Sequence, residues 1–229
     1  MDHLRAVMPR VLLALALLFG VQAQAQKLPG DADRYLPTLK GEIARYWPDL
    51  QPRAWPPALI EQESNWKLRA TLRTSRELGC GLGQFTKALN SDGSVRFDAL
   101  AETRRLDRSL AGWSWSDCYN AEYQLRGVIL KLKANERQCA AWMRGNREVK
   151  ACNAASYNGG GGSVLKRINT CKATSGCESH LWFGHLERLC PQSQKKAAQY
   201  GESFCEINSR YPGRVEARMP KYVGPMERP

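Results

Sequence analysis

Ala58-Leu59-Ile60-Glu61-Gln62-Glu63-Ser64 is the stretch on which both the fold and the chemistry turn. Taken as a helix, it puts residue 63 four positions after Leu59 and three after Ile60. The Glu63 carboxylate then shares the apolar face while Glu61 points the other way. A carboxylate among apolar side chains loses hydration, its pKa rises, and it holds a proton near neutral pH, as a general acid must. The competing role is a plain ion pair with a basic neighbour, Arg69 or Arg73. Pro56-Pro57 just upstream mark the helix start, because proline is tolerated in a first turn, where its missing N–H would have no partner.

On either side of this stretch the chain reads as a series of helices. Leu36, Leu39, Ile43 and Trp47 recur with helical spacing and stop at Pro48. Leu125, Val128, Ile129 and Leu132 do the same within a long helix expected from about Asp117 to Ala134. Tyr200, Phe204, Ile207 and Tyr211 form an aromatic and aliphatic stripe ended by Pro212, and such stripes are read as core packing. Pro212, Pro220, Pro225 and Pro229 predict an irregular basic tail over 212–229. There is no sustained period-2 alternation and no internal repeat. Gly79 to Gly83 and Gly159 to Gly162 read as turns, and neither fits a GxxxxGK[ST] phosphate loop. The expectation is a mainly α protein with little or no β-sheet.

Composition bounds the setting. The 229 residues suit one domain with a substantial core, and 43% hydrophobic with 24% charged residues disfavours disorder and a polytopic membrane protein. Arg5 and Arg10 precede an apolar run, Val11 to Val21, that ends in Gln22-Ala23-Gln24-Ala25. That order reads as a secretory signal peptide over 1–25, cleaved after Ala25. The run is about half of the roughly 20 apolar residues a spanning helix needs, so no stable membrane anchor is expected. The net charge of +12 stays strongly positive without Asp2, Arg5 and Arg10, which points to an anionic partner.

The eight cysteines (80, 118, 139, 152, 171, 177, 190 and 205) all follow the signal region, and an even number in an exported chain favours disulfides. Pairing between sequence neighbours is expected because short loops close most readily. That gives Cys80 with Cys118, Cys139 with Cys152, Cys171 with Cys177, and Cys190 with Cys205. A zinc site at Cys177, His180, His185 and Cys190 is the alternative, but its spacing matches no standard finger or ribbon, so no metal and no cofactor are expected.

Three segments in order then carry a resemblance. Ile60-Glu61-Gln62-Glu63-Ser64-Asn65-Trp66, Ser75 with Gly79-Cys80-Gly81-Leu82-Gly83-Gln84-Phe85, and Ala155-Ser156-Tyr157-Asn158-Gly159-Gly160 together resemble the soluble lytic transglycosylase family of lysozyme-like enzymes. The likeness covers about residues 54–168. It implies a lysozyme-like helical domain over 26–211 that includes a cysteine-rich helical extension. The implied reaction cleaves the β-1,4 bond between N-acetylmuramic acid and N-acetylglucosamine in peptidoglycan strands, leaving a 1,6-anhydromuramoyl end.

By the same resemblance Glu63 is the catalytic acid and then base. Ser64 fixes the Glu63 rotamer or meets the sugar, and Gln84 binds substrate. Gly81 and Gly83 let backbone approach the sugar, and Tyr157 and Asn158 line the cleft opposite, with Tyr157 bonding to Glu63. Trp66 reads equally as a stacking platform or a core residue. Cys80 stands where the family usually has alanine, which suggests a disulfide anchoring the loop; Gly83 replaces a bulkier residue, and Ser156 is inserted in the third motif. A hydrolytic goose-type muramidase would need a second carboxylate, for which Glu77, Asp92 and Asp98 are the candidates. An inactive wall-binding or secretion-system scaffold is the other alternative. A nucleic-acid partner is not expected, because no recognition motif accompanies the basic charge. A periplasmic or secreted monomer is expected, and general wall turnover, a secretion or conjugation machine, and a phage role all stay open.

Overall fold

The computed structural model describes residues 27–191, 193–196 and 201–228; the signal-peptide segment and Tyr200 lie outside these. Helix α1, Ala32–Tyr46, buries Leu36, Leu39 and Ile43, and Trp47 closes it before Pro48. Helix α2, Trp55–Ser64, begins with its two prolines in the first turn and buries every residue from Trp55 to Ile60. It ends because Asn65 and Trp66 both take left-handed backbone angles, φ 50° and 61°, which turn the chain out of the helix.

The segment after Trp66 departs from the sequence expectation. Four short antiparallel strands, β1 Thr71–Arg73, β2 Glu77–Cys80, β3 Phe85–Leu89 and β4 Val95–Asp98, form a sheet in the order β1-β2-β3-β4. The register pairs Thr71 with Cys80, Cys80 with Phe85 and Lys87 with Asp98. None of the four exceeds five residues, and most positions are exposed or half-buried, so the period-2 signal of a one-face-buried strand never develops.

The rest is helical. Asp98 caps α3, Ala99–Arg104, by accepting from the Ala101 N–H at 2.9 Å. Asn120 caps α4, Ala121–Ala140, later than the expected start near Asp117, because its side chain takes the Tyr123 N–H at 3.1 Å. Helices α5, Asn146–Gly159, and α6, Gly161–Lys172, meet at Gly160, whose φ of 79° suits glycine. Ser203 and Glu206 form a capping box on α7, Phe204–Glu216, and α8 spans Val223–Glu227.

The C-terminal segment is therefore ordered rather than irregular. Helix α7 runs through Pro212, and Pro220 and Pro225 sit in the first turns of the 3-10 turn Met219–Tyr222 and of α8, where a missing N–H leaves no bond unmade. The buried face of α7 is Asn208, Tyr211, Pro212 and Val215, whereas Phe204 is exposed.

Two apolar clusters organise the packing. The larger joins α1, α2, the sheet and α4 with Tyr211, Tyr222 and Met226 from the C-terminal segment. The smaller gathers Cys139, Cys152, Val164, Ile168, Cys171, Trp182 and Leu186. Disulfides Cys139–Cys152 and Cys171–Cys177 staple the smaller cluster, and Cys190–Cys205 anchors the start of α7. The expected fourth bridge is absent: Cys80 and Cys118 are free, buried thiols. Two members of the alternative zinc set, Cys177 and Cys190, are spent in disulfides, and His185 Nδ1 accepts from the Glu178 N–H at 3.0 Å. No helix among the described residues is long and apolar enough to cross a membrane.

Candidate active site

The last turn of α2 carries two carboxylates with opposite surroundings. Glu61 meets Lys221 Nζ at 2.7 Å, accepts from Tyr222 Oη at 2.7 Å, and lies 3.5 Å from Arg218. Glu63 accepts a hydrogen bond from Tyr211 Oη, the phenol of α7, and among the described residues it has no ion-pair partner within 4 Å. Pairing with Arg69 or Arg73 is not what the structure shows. Burial pushes the Glu63 carboxyl up to about 7, against the lowering effects of the Tyr211 hydrogen bond and the Lys131 charge. Near neutral pH the group is thus poised between proton donor and acceptor. Tyr157 and Tyr211 are both raised well above the ordinary phenol range, by burial and then by the Glu63 charge, so they remain protonated donors.

The loop between β2 and β3 is clamped from α4 and α5. Buried Gln124 accepts the Gly83 N–H at 3.0 Å and donates to the carbonyls of Cys80, at 3.2 Å, and Cys118. Tyr157 Oη donates to the Gly83 carbonyl at 2.7 Å, so Tyr157 holds the loop rather than Glu63 and feels Glu63 only through its charge. That differs from the bond expected between Tyr157 and Glu63. The loop glycines answer to packing: a Cβ at Gly81 would lie 2.2 Å from the Gln124 amide. One at Gly83 would lie 2.6 Å from Val128 and 2.7 Å from Tyr157 Oη. Gln84, at φ 45°, turns its amide protons back to the carbonyls of Ala70 and Gly81, each at 2.9 Å.

The remaining expected residues divide. Ser64 Oγ donates to the Ile60 carbonyl at 3.1 Å, one helical turn back, and is a helix-end polar residue rather than a Glu63 partner. Asn158 is exposed at the end of α5. Trp66 is fully buried and donates to Tyr222 Oη at 2.8 Å, which is the core role. Each candidate second carboxylate is occupied within or beside the sheet. Glu77 pairs with Arg96 at 3.0 Å. Asp98 takes Trp115 Nε1 at 2.9 Å and lies 3.4 Å from Lys87. Asp92 accepts from the Ser94 N–H at 2.9 Å in an exposed turn.

Sequence reasoning missed Tyr211, Gln124 and Lys131. Tyr211 is hidden in an apolar stripe. Gln124 and Lys131, seven residues apart, share with Gly127 and Val128 one face of α4, and polar groups on that buried face were the available signal. A cavity of about 270 Å³ lies at the other end of α2, lined by Pro52, Trp55, Phe183, Pro212 and Met219 among others, and does not include Glu63. The chain matches no protein-family model, no curated protein and no solved structure.

Proposed function

We propose that the protein is a peptidoglycan lytic transglycosylase with a lysozyme-like fold, exported and acting on glycan strands without a cofactor. The observation that carries this reading is the isolation of Glu63: a carboxyl raised to about 7 that faces one phenol, while Glu77, Asp92 and Asp98 are engaged elsewhere. Glu63 donates its proton to the leaving O4 as the bond from the muramoyl C1 breaks. The resulting carboxylate accepts the proton of the muramoyl 6-hydroxyl, whose oxygen bonds to C1. One proton leaves Glu63 and one returns, no water is consumed, and the product ends in 1,6-anhydromuramic acid.

An intramolecular hydroxyl held near C1 needs no second carboxylate to deliver it. The positive charge of +12 suits a polymer bearing lactyl and peptide carboxylates. Ser64, Gln84, Asn158, Gly81 and Gly83 are assigned to the substrate face by resemblance. Only the carbonyl end of the Gln84 amide is left for sugar, because both amide protons are used by the loop.

Digestion of purified peptidoglycan, followed by mass spectrometry of the muropeptides, tests the proposal. Products one water lighter than hydrolytic ones are expected, and they should vanish with Glu63→Gln while Glu61→Gln still forms them. Reducing-end products alone would place the protein with goose-type muramidases, and binding without cleavage would make it a wall-binding scaffold.

A further inference from the structure

The cavity at the start of α2 has no lining residue in common with the Glu63 centre. Trp55 opens α2 and Glu63 lies in its last turn, eight residues on, so about 12 Å of helix separates the two. Apolar groups from distant parts of the chain form its walls: Trp55 of α2, Phe183 of the cysteine-rich stretch, and Pro212 and Met219 of the C-terminal segment. At about 270 Å³ it lies just below the range that encloses a drug-sized ligand, and it has room for one amino-acid-sized group.

A charged pair stands in the mouth. Arg147 of α5 and Glu216 of α7 both line the cavity, and Nε and Nη2 of the arginine donate to the two carboxylate oxygens at 2.6 and 2.9 Å. Their side chains are 61% and 37% exposed, so both groups face water as well as the cavity. The fork is held in place by packing: the guanidinium carbon lies 3.9 Å from the centre of the Phe183 ring. Phe183 and Trp182 in turn donate their N–H groups to Glu148, the neighbour of Arg147 on α5, at 3.2 and 2.6 Å. Lys150 also lines the cavity, but its side chain is 5% exposed and its ammonium is bonded to Glu136, which leaves only its stem to the wall.

An ion pair this exposed contributes little to stability and opens at little cost. A lone anion on Arg147 would leave Glu216 beside it without a counter-charge, and a lone cation on Glu216 would leave Arg147 so. A ligand carrying both charges on one carbon satisfies both residues at once. We infer that the cavity binds an α-amino-acid head group on an aliphatic stem. The carboxylate takes the Arg147 fork, the ammonium takes Glu216, and the stem lies against Trp55, Pro212 and Met219. The site stands apart from the lytic reading, because it uses none of the groups around Glu63. Such a head group has two sources, a free amino acid or the side-chain end of a diamino diacid within a peptide.

NMR of the full chain labelled at its methionine methyls tests this, with the Met219 resonance assigned through Met219→Leu. The probes are norleucine, N-acetylnorleucine and norleucinamide, at about pH 6, where free amines are protonated. Norleucine is expected to shift the Met219 methyl saturably, with a Kd of about 1 mM or tighter. Each analogue lacks one charge and should bind about tenfold more weakly or worse. Equal binding of all three would make the cavity indifferent to charge, and preference for one analogue would make it a simple anion or cation site. Either result overturns the inference, as does the absence of a saturable shift.

Glu216→Gln should weaken norleucine about tenfold yet strengthen N-acetylnorleucine, because the competing carboxylate is gone. Arg147→Met should abolish binding of both. Unchanged norleucine affinity in either folded variant overturns the inference, and if neither folds the three probes on the wild-type chain still decide. A tripeptide holding meso-diaminopimelate with its distal head free separates the sources. Binding at least as tight as that of norleucine assigns a peptide-borne head group, and weaker binding assigns the free amino acid.

Discussion

Glu61 and Glu63 are two residues apart on one helix, yet one is surrounded by a lysine, an arginine and a phenol while the other accepts a hydrogen bond from a single phenol. The difference makes Glu63 a measurable burden on the fold. Its carboxyl is raised from 4.5 to about 7, so between those values the folded chain binds more protons than the unfolded one. Stability therefore falls as pH rises through that window and levels off above it. Glu63→Gln removes the titration and keeps an acceptor for Tyr211. Its melting temperature is expected to match wild type near pH 4 and to exceed it by about 3 °C or more at pH 8, as calorimetry across pH would show. Equal melting temperatures throughout would mean that Glu63 is not desolvated. The face that Glu63 occupies was legible from its spacing to Leu59 and Ile60. Tyr211 was not, because its partner lies 148 residues away and its neighbours in the chain read as core.

Among the elements, α4 decides how the motif loop is held. Gln124 is fully buried and serves the N–H of Gly83 and the carbonyls of Cys80 and Cys118, all on buried residues. Gln124→Leu removes all three bonds, and the expected loss is about 2 to 4 kcal/mol, read as a lower urea midpoint at unchanged slope. The same variant should raise KM for glycan strands, since the Gly81 to Gln84 turn loses its clamp. Loss of stability without a change in KM would confine Gln124 to folding. Helices α1 and α4 were legible because an apolar face recurs over two or more turns, and α2 because two prolines mark its first turn. The sheet was not, because strands of three to five residues held between glycines and basic side chains leave too few positions for alternation to register. The turns Met219–Tyr222 and Val223–Glu227 were misread for a related reason: proline breaks a helix interior but begins a short helix well.

In the assembled chain, the C-terminal segment is a strap that closes on α2. Tyr211 reaches Glu63, Lys221 and Tyr222 reach Glu61, and Tyr222 also receives the Trp66 indole N–H. Cys190–Cys205 fastens the start of that strap, whereas Cys171–Cys177 closes a six-residue step remote from it. Removing Cys190–Cys205 by paired serine substitution should cost about 3 kcal/mol and reduce turnover. Removing Cys171–Cys177 should lower stability while leaving turnover near wild type. Equal effects on turnover would show that the strap does not depend on its bridge. Three of the four neighbour pairings were legible in the cysteine spacing, and the fourth was not: Cys80 and Cys118 are buried free thiols beside the Gln124 amide.

The distance along the chain between Glu63 and Tyr211 also sets an order of events. Polypeptides are made from the N-terminus at roughly 5 to 20 residues per second, so the 148 residues separating the pair correspond to about 7 to 30 s of synthesis. Throughout that interval the carboxylate exists without its phenol and without the strap that buries it. A nascent or prematurely terminated chain thus lacks the assembled Glu63–Tyr211 pair, which forms only after the last helices have emerged.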